Sequence, residues 1–330
     1  MTPKRTLAAN PVPIRVVIVT MDSHLASATS RAALTLGRQL PGLQLRVHAA
    51  SEWSSDPATL ECCLQDIAQG DIVVVSMLFM EDHFRPVLPA LTARRLDCDA
   101  MVCMMSASEV TKLTRMGRFD MEVPASGPLA LLKRLRGNKP KTGSAGAQQM
   151  KMLRRIPQIL RYIPGTAQDV RAYFLILQYW LGGSEENVSN LVCLLVDRYA
   201  TGARASLRGA VKVAPPVEYP EVGVYHPRLA NRLSEEIAAL PVVVPASKAN
   251  GRVGLLLLRS YLLAGNTGHY DGVIAALEAR GMQVVPAFAT GLDARPAIER
   301  FFLHDGKASV DAIVSLTGFS LVGGPAYNDA

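Results

Sequence analysis

Four short apolar runs, each followed by a helical stretch, leave the first third of this chain few folds to choose from. They are Ile14 to Thr20 (IRVVIVT), Leu43 to His48, Ile72 to Met77 and Ala100 to Met105. Continuous apolar runs rich in β-branched residues suit strands buried on both faces. Between them, Asp22-Ser23 can cap a helix that Pro41-Gly42 stops. Pro57 to Gln69 reads as a helix ended by Gly70, Asp82 to Leu96 as another, and Ser108 to Met116 as a short one closed by Gly117. Repeated βα units with such short connections imply a parallel sheet covered by helices. The expected class is α/β, opening on a flavodoxin- or Rossmann-like parallel sheet.

The middle of the chain differs. Pro128 to Arg136 reads as a short basic helix, Gly137 to Ala147 as a polar flexible linker, and Gln148 to Tyr162 as a helix broken at Pro157. Two further helices are expected over Thr166 to Leu181 and Ser184 to Tyr199, with Ser184 as the cap of the second and Glu185 and Glu186 in its first turn. The run Tyr173 to Trp180 is aromatic-rich and apolar all round, which marks a buried core helix. Pro215 to Pro227 is Pro-rich and extended. Beyond it, strands at Arg252 to Leu258, Met282 to Pro286 and Val310 to Leu316 alternate with helices at Thr267 to Arg280 and Ala294 to Leu303. This is the start of a second doubly wound α/β domain. Its third strand has no closing helix, so the chain is expected to be an N-terminal piece of a longer protein. The expected division is an N-terminal head over 1–124, a basic linker and helical segment over 125–215, and an incomplete α/β domain over 216–330.

Charge narrows the partners. The chain of 330 residues carries a formal +7, yet no Asp or Glu lies between Val123 and Gln168. That stretch holds Lys133, Arg134, Arg136, Lys139, Lys141, Lys151, Arg154, Arg155 and Arg161, and the remaining 26 basic residues face 28 acidic ones. Only Tyr162 lies within it to stack on a base, so nucleic acid is not the expected partner. A surface for docking an acidic partner fits better. No apolar run reaches membrane-span length and no secretory signal is read, so a cytoplasmic protein is expected. Five cysteines without a CxxC pair read as reduced, mostly buried thiols, and the adjacent Cys62 and Cys63 point different ways on a helix, so no metal site is expected.

Walker A, GxGxxG, HExxH and GxSxG patterns are all absent. In doubly wound sheets, ligands sit outside the carboxyl ends of the strands. In the first unit this edge carries Asp22, His24, Glu81, Asp82, His83, Ser106 and Ser108, groups suited to acid–base work or simply to capping. In the second it carries Gly265 to Asp271, Ala289-Thr290-Gly291 and Thr317-Gly318-Phe319, where glycines let a ligand approach backbone N–H groups.

Several stretches carry a resemblance. They are Lys112 to Gly117 (KLTRMG), Gln178 to Asn187 (QYWLGGSEEN) with Asp197-Arg198-Tyr199, Gly223 to Pro227 (GVYHP), Gly268-His269-Tyr270, and above all Val310 to Ala326 (VDAIVSLTGFSLVGGPA). From about Ile14 to the last residue the chain resembles the large porphyrin-binding H subunits of magnesium chelatase. Its basic linker, with Gln148-Gln149-Met150, is most similar to the bacteriochlorophyll branch.

The resemblance implies insertion of Mg²⁺ into protoporphyrin IX, both substrates, with ATP hydrolysed on two separate AAA-type subunits called I and D. It would place the nucleotide chemistry on those partners and not here. Mg²⁺ holds its water shell tightly, so dehydration and porphyrin distortion have to be driven together. Members are several times longer than this chain, and no catalytic residue can be assigned within it, so the piece alone is expected to be inactive. Asn266, His269, Tyr270, Thr317 and Phe319 are the candidate porphyrin-lining positions. Lys133, Arg134, Arg136, Arg154 and Arg155 are the candidate partner-docking positions. The alternatives are the large subunit of the cobaltochelatase of cobalamin synthesis, or a non-catalytic docking module.

Overall fold

The computed structural model describes residues 11–123 and 155–321, in two compact units that divide at Val217. In the first unit, β1 (Ile14–Thr20), β2 (Leu43–Ala49), β3 (Ile72–Ser76) and β4 (Ala100–Met104) are parallel. Their order is β2-β1-β3-β4, the flavodoxin-like arrangement, and a small antiparallel hairpin of β5 (Arg115–Met116) and β6 (Phe119–Asp120) extends the sheet beyond β4. β1, β3 and β4 are central and buried along almost their whole length, which explains why their sequences do not alternate. β2 lies at the edge and does alternate.

Five helices belong to these βα units: α1 (Ala26–Gly37), α2 (Pro57–Gln69), α3 (Glu81–Phe84), α4 (Leu88–Arg94) and α5 (Ser108–Thr111). The helix expected over 82–96 is split into α3 and α4, and the one expected over 108–116 stops early to give way to β5. Val17, Val19, Val73, Val75, Met101 and Cys103 on one face pack against Cys63 and Ile67 of α2, Leu91 of α4 and Val110 of α5.

In the middle segment, α6 (Thr166–Gly182) and α7 (Glu185–Tyr199) lie within the first compact unit. α7 packs along α1 and α6, and Tyr173 of α6 meets Phe119 of the hairpin edge-on at 5.7 Å. Tyr173, Ile176, Tyr179 and Trp180 are buried, so this aromatic run is core. Most of the basic stretch, including Lys133, Arg134, Arg136 and Arg154, lies outside the described residues.

The second unit has a mixed sheet. β7 (Val222–Tyr225), β8 (Leu233–Ser234), β9 (Gly251–Leu258), β10 (Met282–Ala289) and β13 (Ala312–Ser315) stand in the order β13-β9-β10-β7-β8. β9, β10 and β13 are parallel; β7 joins antiparallel to β10, and β8 to β7. β7 forms within the Pro-rich stretch expected to be merely extended. The helices are α8 (Arg259–Ala264), α9 (Gly268–Glu278) and α10 (Arg295–Phe301), followed by the hairpin of β11 (Leu303–His304) and β12 (Lys307–Ala308). One face of the sheet packs on α10 through Phe301 and Phe302, the other on α8 and α9 through Leu262, Tyr270 and Ile274.

Candidate functional site

The carboxyl edge of the second sheet separates the expected porphyrin-lining residues into different surroundings. β9 runs into α8, which ends at Gly265 in the left-handed region (φ 69°), and the chain turns there into α9. Asn266 is half-buried and donates its backbone N–H to the carbonyl of Tyr261. His269 is exposed, its ring 3.8 Å from that of Tyr270 and 5.6 Å from that of Tyr261. Tyr270 is 1% exposed and belongs to the core rather than to a cavity wall. Its hydroxyl accepts the N–H of Leu258 at 3.2 Å, and burial pushes its phenol up. Thr317 follows β13, with its hydroxyl 3.0 Å from that of Ser315 and accepting the N–H of Phe319 at 3.2 Å; the ring of Phe319 is exposed. Of the five, only Thr317 lines the cleft between the β9 and β10 ends, whose free volume of about 10 Å³ holds no more than a water.

A polar cluster that the periodicity did not mark sits at the start of α9. Arg232 donates to the Tyr225 hydroxyl at 2.7 Å, to the Thr267 hydroxyl at 3.1 Å and to the Asp271 carboxylate at 3.0 Å, and Tyr225 itself bonds Asp271. Burial, and then the hydrogen bond to Asp271, push the Tyr225 phenol up to about 12. Arg232 adopts φ 58°, an uncommon conformation for a residue with a Cβ. Next to it, the buried His226 ring lies 3.0 Å from Glu278. The sequence signal for this cluster was the Gly223 to Pro227 run, which holds Tyr225 and His226.

In the first unit, the carboxyl edge brings Asp22 and His24 into a hydrogen bond, with the His24 ring edge-on to Trp180 at 6.5 Å. Burial pushes the Asp22 carboxyl up, but the hydrogen bond and charge of His24 outweigh it and hold the group low. Ser106 accepts the N–H of Leu78 and donates to the carbonyl of Met104. Glu81, Asp82 and Ser108 are exposed, and His83 is half-buried with its Nδ1 unpartnered. Met77 and Met105, just past β3 and β4, both have positive φ (64° and 44°).

At the opposite edge of that sheet is an open polar cleft of about 520 Å³, lined among others by Arg115, Arg118, Asp169, Arg198, Tyr199 and Arg208. Asp169 accepts the Arg118 backbone N–H at 2.9 Å and the Tyr199 hydroxyl at 3.0 Å. The lining sets Arg115, Arg118, Arg198 and Arg208 against Asp99 and Asp169, so the cleft is cationic. These arginines do not come from the acid-free run, of whose expected docking positions only Arg155, exposed, is described.

Two family models cover the chain. Residues 15–174 match a family described as Domain of unknown function (DUF3479), and residues 177–330 match CobN/Magnesium Chelatase. The chain is 50% identical over 96% of its length to the magnesium-chelatase H subunit of Cereibacter sphaeroides, and 51% identical over 96% to that of Rhodobacter capsulatus. It is also 31% identical over 96% of its length to the chloroplastic magnesium-chelatase ChlH of Oryza sativa subsp. indica. The chain spans about a quarter of the length of these curated relatives: 26% of each bacterial protein and 23% of the rice one.

The local sequence of the run Gln178 to Asn187 has a structural explanation. Gly183 ends α6 in the left-handed region (φ 53°), and Ser184 caps α7 by accepting the N–H of Asn187 at 3.2 Å. The Asn187 side-chain amide then clamps Val217, donating to its carbonyl at 3.0 Å and accepting its N–H at 2.9 Å. A Cβ at Gly182 would lie 2.2 Å from the Asn187 amide nitrogen, so glycine is needed there. Glu185 reaches α1, where Arg31 and Thr35 each donate to it at 3.0 Å.

Proposed function

We propose that this chain is the N-terminal portion of the porphyrin-binding H subunit of a magnesium chelatase, serving (bacterio)chlorophyll synthesis. The observation that carries the reading is identity of 50% and 51%, over 96% of the chain, to two magnesium-chelatase H subunits. In this reading the complete subunit binds protoporphyrin IX and inserts Mg²⁺, while ATP is hydrolysed on the I and D subunits. The chain alone contributes porphyrin handling and assembly in the cytoplasm and does not catalyse. Asn266, His269, Thr317 and Phe319 would face the macrocycle, with Tyr270 supporting the His269 ring from within the core. Lys133, Arg134, Arg136, Arg154 and Arg155 would meet acidic surfaces of I or D.

A chimera tests the reading. The corresponding quarter of the Cereibacter sphaeroides protein is replaced by this chain, and formation of magnesium protoporphyrin is followed with the I and D subunits and ATP. Retained activity is expected. A chimera that folds and binds porphyrin but neither assembles nor turns over would overturn the proposal, and preference for a corrinoid substrate would favour cobaltochelatase. Reversing the charges from Lys133 to Arg155 in the active chimera should abolish association with I and D. Unchanged association would remove the docking role.

A further inference from the structure

His48, near the end of the edge strand β2, faces two residues of α2 one helical turn apart, Cys62 and Asp66. A spacing of four places both on one helix face. The imidazole Nε2 lies 2.9 Å from the outer carboxylate oxygen of Asp66. The thiol, imidazole and carboxylate ligand atoms all lie within 4.8 Å of one another. The His48 and Asp66 side chains are only 10% and 15% exposed, while Cys62 is exposed and free. The other carboxylate oxygen of Asp66 is 3.5 Å from Arg15, so one oxygen is held from behind and the other is presented to His48.

We propose that His48, Cys62 and Asp66 form a Zn²⁺ site that pins strand β2 to helix α2, with water as the fourth ligand. The chemistry of the three donors selects the metal. A thiolate excludes Mg²⁺ and Ca²⁺, which take oxygen ligands, and a sulfur–nitrogen–oxygen set with an open position suits tetrahedral Zn²⁺. Bonds of roughly 2.0 to 2.3 Å set tetrahedral donors roughly 3.3 to 3.8 Å apart, wider than the 2.9 Å His48–Asp66 contact and inside the 4.8 Å that bounds all three separations. A rotation of the exposed Cys62 side chain and a small opening of the His48–Asp66 contact complete the geometry. Binding forms Zn–S, Zn–N and Zn–O bonds and releases the thiol proton to water. Cysteinate and carboxylate together neutralise the ion, and Arg15 orients Asp66 as a supporting partner should. The neighbouring Cys63 is no competitor, being buried with its thiol pushed up to about 12 by that burial. The site is independent of the porphyrin reading.

The test is a Co²⁺ titration of the reduced, metal-free 330-residue chain. One equivalent should produce the thiolate-to-cobalt charge-transfer band and the visible bands of tetrahedral cobalt, and Zn²⁺ should displace both. Cys62→Ser should abolish the charge-transfer band with circular dichroism unchanged, since this residue is exposed. His48→Gln should weaken Co²⁺ binding at least about tenfold. Zn²⁺ should also raise the melting temperature of the parent chain and not of Cys62→Ser. Absence of the band at a large molar excess of Co²⁺, or a band that survives Cys62→Ser, would overturn the site.

Discussion

Thr20 ends β1 with its hydroxyl fully buried, directly opposite Ser76 of β3 in the same condition; neither has a hydrogen-bond partner among the described residues. A buried unsatisfied hydroxyl costs about 1 to 3 kcal/mol, and valine has nearly the same shape. Thr20→Val should therefore raise the unfolding free energy by about 1 kcal/mol, read from urea denaturation; a loss of stability would show that the hydroxyl has a partner. Asp99 is the opposite case. Its carboxylate accepts both the Arg204 Nε at 2.9 Å and the Thr201 backbone N–H at 3.1 Å. Burial alone pushes this carboxyl up, but the hydrogen bonds from Arg204 and Thr201 outweigh it and hold it low. A carboxyl lowered by folding contributes stability that is complete above its unfolded value, about 4, and is lost as the pH falls through the folded one. Urea midpoints should thus fall on acidification below about pH 4. Asp99→Asn should flatten that part of the profile and lose about 2 kcal/mol at neutral pH, because Arg204 then keeps only Asp71 as an anionic partner among the described residues.

At the scale of elements, legibility in the sequence followed burial. The runs Ile72–Ser76 and Ala100–Met104 could be read as central strands because every residue in them is buried, and the core character of Tyr173 to Trp180 was equally plain. Two-residue strands such as Arg115–Met116 were not legible, since no periodicity exists over that length. β7 was hidden because its flanking prolines mask a four-residue strand that only tertiary pairing with β10 stabilises. The candidate site was legible only as an edge. Periodicity located the carboxyl ends of the strands, but it could not say that Tyr270 turns inward while His269 turns out. Nor could it join His48 to Cys62 across a strand and a helix. Close packing between elements offers a direct check. A Cβ on Gly254 of β9 would lie 2.7 to 2.9 Å from the Phe302 ring, which is fully buried. Gly254→Ala should therefore cost about 2 kcal/mol by overpacking, visible as a lower melting temperature. An unchanged melting temperature would mean that the ring can move aside.

Taken as a whole molecule, the chain joins a flavodoxin-like unit, completed by α6 and α7, to a mixed-sheet unit within the CobN/Magnesium Chelatase match. The acid-free run holds nine basic residues and so carries more than the whole +7, yet the cationic cleft around Arg118 and Arg198 is built from elements on either side of that run. One feature of the second sheet bears on how the chain behaves in a tube. Among the described residues β13 is bonded to β9 on one side only, and all of Ala312–Ser315 is exposed, with Ile313 at 42% and Val314 at 38%. A bare apolar margin of this kind is a template on which a second molecule can lay its own strand. Light scattering should accordingly show concentration-dependent association of the 330-residue chain. Ile313→Lys should raise the concentration at which it stays monodisperse, and equal scattering by the two would locate the adhesive surface elsewhere.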